Sequence, residues 1–255
     1  MRAHATTAAL IAAASAPYWK TDFFGYFNAR GKLRGDPAFA GILREGLLTG
    51  MERILDLGCG QGLLAAWLEA AQRRNDERPH EWPQEWPAPP RPISFRGIEL
   101  QARDVWRARL ALGKRAEFEV GNIADADFGS VDAIIILDVL HYLDQPAQLR
   151  VLDHARAALS PEGILLLRVG DAGSGIRFIV GQCIDWTVLV ARYRRTPRMY
   201  WRPVPEWQRL LTSMGFRSEA LPMSAGTPFA NTLLIARPHK IASQPRTLTD
   251  SLMAQ

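Results

Sequence analysis

Short apolar runs alternate with amphipathic stretches along most of the chain. Five runs are short, apolar and bounded by turn residues, as strands are, and they cover residues 53–57, 93–98, 117–120, 131–140 and 164–170. Between them, residues 63–74, 101–113 and 146–159 carry apolar side chains at helical spacing. The run VDAIIILDVL is apolar almost throughout, which is typical of a strand buried on both faces. Strands that alternate with helices predict a parallel, doubly wound sheet.

The C-terminal third has a different pattern. A mixed helical stretch over 174–193 and a helix over 205–215 are followed by two strand-like runs, SEALPM and NTLLIARP. The turn-like link SAGTPFA between these runs predicts an antiparallel hairpin at the edge of the sheet. We therefore predict an α/β fold whose doubly wound, mostly parallel seven-stranded sheet ends in an antiparallel C-terminal hairpin.

Three further segments complete the predicted organisation. A helix over 39–48 opens the main domain, 39–240, and residues 1–38 form an extension whose aromatic stretch YWKTDFFGYFNARGKLRGDP is a candidate lid. The proline-rich segment 75–92 excludes helix and central strand, so we expect an extended surface loop, either a tolerated insertion or a ligand for a partner domain. Residues 241–255 have the composition of a polar tail.

Composition and charge narrow the class of protein. The chain has 255 residues, 47% hydrophobic and 22% charged, which suits one large globular domain. Its net charge of +5 comes largely from scattered arginines; five cluster between 192 and 202 among aromatic residues, either as a solvated helix end or as a grip on phosphates and bases. The two cysteines, Cys59 and Cys183, lack metal-site spacing. The alanine-rich N-terminus lacks a signal-peptide core and no run could span a membrane, so we expect a soluble, cytoplasmic protein.

The sequence ILDLGCGQG places an acid before three alternating glycines, between a predicted strand and a predicted helix. The glycines Gly58, Gly60 and Gly62 would let the backbone turn tightly and approach a ligand near the free N–H groups of the helix. Glu99 ends the next strand, where a carboxylate can accept both ribose hydroxyls of a nucleoside. These residues predict an adenosine-containing cofactor. The order DxGxGxG differs from the GxGxxG of dinucleotide sites, and Cys59 suits the turn by its small size rather than as a nucleophile.

With its acid and glycine spacing, ILDLGCGQG resembles the first motif of class I S-adenosylmethionine-dependent methyltransferases. The resemblance covers about residues 40 to 240 and implies a Rossmann-like methyltransferase fold with S-adenosylmethionine as the cofactor. It implies that Asp56 and the glycines line the methionine part, Glu99 holds the ribose, and Asp138 closes the methionine side. Around the adenine it implies Leu100, Asn122 and Ile123. Asn122 stands where the family often has an aspartate, and Asp125 is the competing candidate.

The acceptor side carries weaker signals. His141, just beyond the fourth strand, is the candidate catalytic residue, either as a general base or as a pocket wall. Further candidates for the substrate pocket, with core packing as the alternative role, are Tyr142, Arg177, Trp186, Tyr200 and Trp201.

Two further comparisons with methyltransferase sequences bear on the class of the methyl acceptor. No NPPY-like or DPPY-like stretch follows the fourth strand, which disfavours a nucleic-acid acceptor. We predict methyl transfer to oxygen or carbon of a small, aromatic or acyl molecule, with nucleic-acid methylation and non-catalytic cofactor binding as alternatives. The segments GKLRGDP and MSAGTPFAN also resemble methyltransferases encoded with bacterial aryl polyene pigment pathways, which implies secondary metabolism. The oligomeric state stays open.

Overall fold

The computed structural model describes residues 2–173, 175, 198–227 and 229–239. Seven strands form one sheet: β1 (Arg53–Leu57), β2 (Ser94–Glu99), β3 (Glu117–Val120), β4 (Val131–Leu137), β5 (Leu159–Gly170), β6 (Phe216–Pro222) and β7 (Asn231–Pro238). Their order is β3-β2-β1-β4-β5-β7-β6. The first five strands are parallel, whereas β7 runs antiparallel to both β5 and β6. The predicted fold class is confirmed. The helical stretch predicted for 174–193 and the tail predicted for 241–255 lie outside the described residues.

Helices cover both faces of the sheet. Those among the described residues are α1 (Arg2–Ser15), α2 (Phe23–Gly35), α3 (Pro37–Arg44), α4 (Leu63–Glu77), α5 (Ala102–Leu112), α6 (Gln145–Ala158) and α7 (Val204–Ser213). Strand β4 shows why its sequence is apolar throughout: Ile135 packs into one hydrophobic cluster, while Ile134 and Ile136 pack into another. Because side chains alternate along a strand, both faces of β4 are buried.

Strand β5 is longer than the sequence predicts. The sequence predicts a helix over 146–159 and a strand over 164–170, but α6 ends at Ala158 and β5 begins at Leu159. The pairing with β4 is irregular here, since Val131 pairs with Leu159 and Ala133 with Ile164. The turn residues are accommodated as a bulge inside the strand rather than as a loop before it.

The proline-rich segment is packed against the core. Trp82 and Trp86 are 7% and 6% exposed, and their rings meet edge to face with centroids 5.6 Å apart. Gln72 Nε2 of α4 donates a hydrogen bond of 2.6 Å to the Pro90 carbonyl. The prediction of a surface loop is therefore wrong for this part of the segment. Burial of the two indole rings favours packing of this segment against the core, while the prolines keep its backbone extended.

The N-terminal residues form helices that pack on the same core. Tyr18 is fully buried, and its hydroxyl donates a hydrogen bond of 2.7 Å to the Gln61 carbonyl in the glycine turn. Gln61 Nε2 in turn donates to the Gly25 carbonyl of α2 at 2.9 Å. Asp22 begins α2 by accepting from the Gly25 N–H. Helix α2 is thereby bound directly to the turn that follows β1.

Candidate functional site

The glycine turn lies at the carboxyl edge of the sheet between β1 and α4. Gly58, Gly60 and Gly62 all have positive φ, at 75°, 55° and 79°, which side chains rarely adopt. A Cβ at Gly58 would lie 2.3 Å from Val139 Cγ2, and one at Gly62 would lie 2.7 Å from Phe118 Cζ. A Cβ at Gly60 would have no atom of the described residues within 4 Å. Gly58 and Gly62 therefore allow close packing, whereas Gly60 borders open space where a ligand can approach the backbone.

Glu99 at the end of β2 reaches across to this turn. Its Oε2 accepts from the Gly60 N–H at 3.0 Å, and its Oε1 accepts from the Gln101 N–H at 2.9 Å. These two bonds fix the carboxylate but leave lone pairs on both oxygens free to accept from hydroxyl groups. The structure thus brings the predicted ribose carboxylate to the glycine that borders open space.

Asp56 in β1 is a buried carboxylate, 4% exposed. Burial raises its pKa to about 7; the Lys32 ammonium opposes this rise and the Glu99 carboxylate adds to it. Among the residues the structure describes, no group donates a hydrogen bond to Asp56. A carboxylate in this position gains most from a ligand that carries positive charge, because the cation would offset its cost of desolvation.

Cys59 fills space within the turn. Its side chain is buried, and a Cβ at Gly97 on β2 would lie only 2.7 Å from Cys59 Sγ. Burial, together with the charges of Asp56 and Glu99, raises the pKa of the thiol well above its usual range. A thiol held protonated is a poor nucleophile, so the geometry supports the interpretation that size selects cysteine here.

The residues predicted near the adenine lie after β2 and β3. Leu100 is 63% exposed and offers an apolar surface, whereas Ile123 is 5% exposed and packs mainly into the core. Asn122 Oδ1 accepts from the Ala124 N–H at 3.1 Å, and Asn122 Nδ2 donates to Asp125 Oδ2 at 2.6 Å. Asn122 and Asp125 are therefore hydrogen-bonded partners within one turn, although the sequence presented them as competing candidates.

Asp138 follows β4 with a φ of 59°, and it is the one non-glycine residue with positive φ in the described part of the chain. Its carboxylate pairs with Arg168 of β5, which also pairs with Asp36 at the start of α3. Our sequence analysis missed Arg168 and Asp36. The available signal was an arginine inside the apolar run ILLLRVG, because a cation buried in a central strand requires a carboxylate partner.

His141 lies in a 3-10 turn, Leu140–Tyr142, beyond β4. Its ring is 5% exposed, stacks on Trp201 at 4.0 Å with an interplanar angle of 12°, and lies 4.0 Å from the Tyr142 ring. Nε2 has no hydrogen-bond partner among the residues that the structure describes. Burial lowers the pKa of His141 to about 4, although the charge of Asp138 opposes this effect. The imidazole is therefore neutral near pH 7 and has one unused buried nitrogen.

Gln148 of α6, which the sequence did not indicate, holds this region together. Its Nε2 donates to the carbonyls of Leu140 and Tyr200, both at 3.0 Å, and its Oε1 accepts from Arg202 Nε at 3.2 Å. The Tyr200 N–H donates to the His141 carbonyl at 2.8 Å. Polar residues on amphipathic helices usually face solvent, so no pattern distinguished Gln148.

The remaining acceptor candidates divide into two groups. Tyr142, Tyr200 and Trp201 lie together around His141, whereas Arg177 and Trp186 lie outside the described residues. In the predicted arginine cluster, Arg202 pairs with Glu206 and has a side chain only 13% exposed. This pairing favours a structural role for Arg202 over a grip on phosphates.

Comparison with known proteins identifies the domain. Residues 55–165 match the model of a family described as a methyltransferase domain, and this span contains the glycine turn, Glu99 and Asp138. This match supports the predicted class I S-adenosylmethionine-dependent methyltransferase domain. No curated protein matches the sequence.

Solved structures show the same methyltransferase fold. An O-methyltransferase family protein from Burkholderia thailandensis has a TM-score of 0.59 at 21% identity, with 84% of this chain and 59% of that chain covered. Magnesium protoporphyrin IX methyltransferase from Synechocystis PCC 6803, solved with bound SAH, has a TM-score of 0.55 at 20% identity, with 85% and 88% covered. Human N-acetylserotonin methyltransferase, solved with SAM, has a TM-score of 0.56 at 16% identity, with 85% and 56% covered.

The chain spans about three fifths of the length of the Burkholderia protein. These similarities establish the fold, while activity and substrate belong to a proposal. The narrower resemblance to aryl polyene pathway methyltransferases stays a prediction. Within the described ranges, every helix is too short or too polar to cross a bilayer.

Proposed function

We propose that this methyltransferase domain transfers a methyl group from S-adenosylmethionine to oxygen or carbon of a small aromatic or acyl molecule. The observation that carries the proposal is that a site suited to a cation and a site suited to a neutral group lie at the same edge of the sheet. Among the described residues, the buried Asp56 carboxylate beside the glycine turn has no hydrogen-bond donor, and the neutral His141, whose Nε2 has no partner there, contacts two aromatic rings. A cationic methyl donor suits the first site, and a neutral planar acceptor suits the second.

The donor residues fit the cofactor by charge and by space. Asp56 would face its amino group, Glu99 would accept from the ribose hydroxyls, and Gly60 would let the ligand approach the backbone. Leu100, with its exposed apolar side chain, would lie against the adenine, and Asn122 and Ile123 would border it. Cys59, Gly58 and Gly62 would shape the turn, and Asp138 would close the methionine side. When bound, S-adenosylmethionine supplies a methyl group already activated on a sulfonium sulfur.

On the acceptor side, His141 has the role of orienting a hydroxyl group. Because its pKa is about 4, His141 is a weak base, but its neutral Nε2 can accept a hydrogen bond from an acceptor O–H. Trp201 and Tyr142 would hold a planar acceptor by stacking, and Tyr200 keeps the segment of Trp201 tied to His141. Alignment of donor and acceptor is the main demand of this reaction, since the methyl group arrives activated.

Labelled methyl transfer tests the proposal. The purified chain is incubated with S-adenosylmethionine labelled in its methyl group and with a panel of phenols, aromatic carboxylic acids and acyl thioesters. Binding of S-adenosylhomocysteine is measured in parallel by calorimetry. We expect binding by the wild type and label in at least one small product.

Glu99→Ala should abolish both signals, because it removes the carboxylate that joins Gly60 to the ribose. Glu119→Ala, on the neighbouring strand β3, is the matched control, since Glu119 makes a long ion pair of 3.9 Å with Arg96. Transfer of label to RNA rather than to any small molecule would overturn the acceptor class. Binding without any transfer, in the panel or in a host extract, would support a non-catalytic protein instead.

A further inference from the structure

Arg168 is the most deeply buried cation that the structure describes at the carboxyl edge of the sheet. It is 2% exposed and uses both edges of its guanidinium group. On one side Nη2 donates to Asp36 Oδ2 at 2.7 Å, and Nη1 pairs with Asp36 Oδ1. On the other side Nε donates to Asp138 Oδ1 at 2.9 Å, and Nη2 pairs with Asp138 Oδ2. One buried side chain thus joins two distant segments of the chain.

Asp138 connects the Arg168 guanidinium to the glycine turn. Asp138 has the left-handed φ that non-glycine residues avoid, and its N–H also bonds to the Arg168 carbonyl at 3.3 Å. Its neighbour Val139 packs where a Cβ of Gly58 would lie. Loss of the guanidinium would release Asp138 from this conformation and move Val139 away from the turn.

The Asp36 side leads to α2. Asp36 follows the last residue of α2, and its Oδ1 accepts from the Ala38 N–H at 3.0 Å at the start of α3. Burial alone would raise the pKa of Asp36, but Arg168 and Lys32 hold it below its usual range. Lys32 lies in the last turn of α2 and also acts on Asp56. Arg168 therefore fixes the end of the helix that brings Lys32 to the donor site.

The opposite end of α2 is held independently. Asp22, which begins α2, pairs with the buried Arg107 of α5 at 2.8 Å, and the Gly25 carbonyl accepts from Gln61. Helix α2 is thus anchored at α5 on one side and at β5 on the other, across the edge that carries Glu99, Asp56 and the glycine turn. The β5 anchor also holds Asp138 at that edge.

We propose that Arg168 is a positioning residue for methyl-donor binding, acting through Asp138 on the glycine turn and through Asp36 on α2. Arg168 is too buried to touch the ligand itself, and this inference rests on the proposed function. It assigns the affinity for the donor in part to a contact between residues 132 positions apart.

Calorimetric titration with S-adenosylhomocysteine tests this assignment. Arg168→Lys keeps the charge but cannot make the two-sided fork, and we expect about tenfold weaker binding. Asp36→Asn disturbs only the α2 side and is the milder variant for folding; we expect about threefold weaker binding. Because both changes break the same group, the double variant should bind about as weakly as Arg168→Lys alone.

The matched control is Arg53→Lys. Arg53 makes a similar two-bond pair with Asp132, at 2.8 and 3.1 Å, but at the amino end of the sheet. The Arg53→Lys variant should bind S-adenosylhomocysteine with the same affinity as the wild type.

A second readout distinguishes positioning from general stability. The groups that act on Asp56 are Lys32, Glu99 and Cys59. Asp36→Asn should displace Lys32, so the midpoint of donor binding against pH should move upward. Unchanged affinity and midpoint in folded Arg168→Lys and Asp36→Asn would overturn the assignment, whereas a wild type that fails to bind would overturn the proposed function itself.

Discussion

Each half of the site contains a buried titratable group, and burial shifts the pKa values of the two groups in opposite directions. In the donor half, Asp56 has a pKa raised to about 7, with the Lys32 cation nearby. In the acceptor half, His141 has a pKa lowered to about 4 and is enclosed by aromatic rings. Burial favours the neutral form of both groups, yet Asp56 remains close to ionisation at pH 7 and His141 does not. The donor half is thus ready to receive a cation, and the acceptor half to receive a neutral group.

The substitution with the largest expected effect fills the open space beside Gly60 in the donor half. Gly60→Val places a branched side chain where the structure leaves room for the ligand. Overpacking costs about 1–3 kcal/mol, so affinity for S-adenosylhomocysteine should fall by up to about a hundredfold. The measurement is calorimetric titration of the folded variant.

Gly129→Val is the control for backbone strain. Gly129 also has positive φ, 65°, and also borders open space, but it lies in the loop before β4. Both variants should lose stability, and only Gly60→Val should lose affinity. Equal affinity in the two variants would remove Gly60 from the site.

The second test concerns pH. Below about pH 7 Asp56 is protonated, so its attraction for the ammonium group of the ligand is lost and binding should weaken as pH falls, approaching tenfold for each pH unit, and should level off above pH 7. His141 adds no change between pH 5 and 8, because it stays neutral above about pH 4. Titrations of S-adenosylhomocysteine from pH 5 to 8 give the profile.

Asp56→Asn sharpens this result. It should flatten the profile and weaken binding at pH 8. The raised pKa of Asp56 means that folding stability in the free protein is lost as pH rises from about 4 to 7, and the rise from 3.8 to about 7 corresponds to about 4 kcal/mol. The asparagine variant should therefore unfold at a higher temperature than the wild type at pH 8. An undiminished pH dependence in this variant would exclude Asp56 as its origin.

The smallest expected effect lies in the acceptor half. His141→Ala should leave donor binding unchanged and lower kcat about fivefold, as expected for one lost hydrogen bond of about 1 kcal/mol. His141→Gln, which can still accept a hydrogen bond, should recover much of the rate. A loss of about a hundredfold or more in His141→Ala would instead identify His141 as the general base.

Features that depend on neighbouring residues could be predicted from the sequence, whereas long-range side-chain pairings could not. The glycine turn, Glu99 and the strand order were predictable because they depend on contiguous residues and on the ends of successive strands. The pairing of Arg168 with Asp36 and that of Gln148 with Tyr200 were not predictable, since these partners lie 132 and 52 positions apart and only the folded chain brings them together. Trp82 and Trp86 were misjudged because proline density reports backbone conformation and not where the side chains pack.

The link between Asp36 and Arg168 also has a consequence for synthesis of the chain. A ribosome adds about 5–20 residues per second, so the 132 positions between these residues correspond to about 7–26 seconds. During that interval α2 can form, but its final anchor does not yet exist. Arg168 emerges only after β1, β2 and β4, the strands that carry Asp56, Glu99 and the approach to Asp138. The nascent chain therefore contains strands β1 to β4 before it can form the Arg168 anchor at the end of α2.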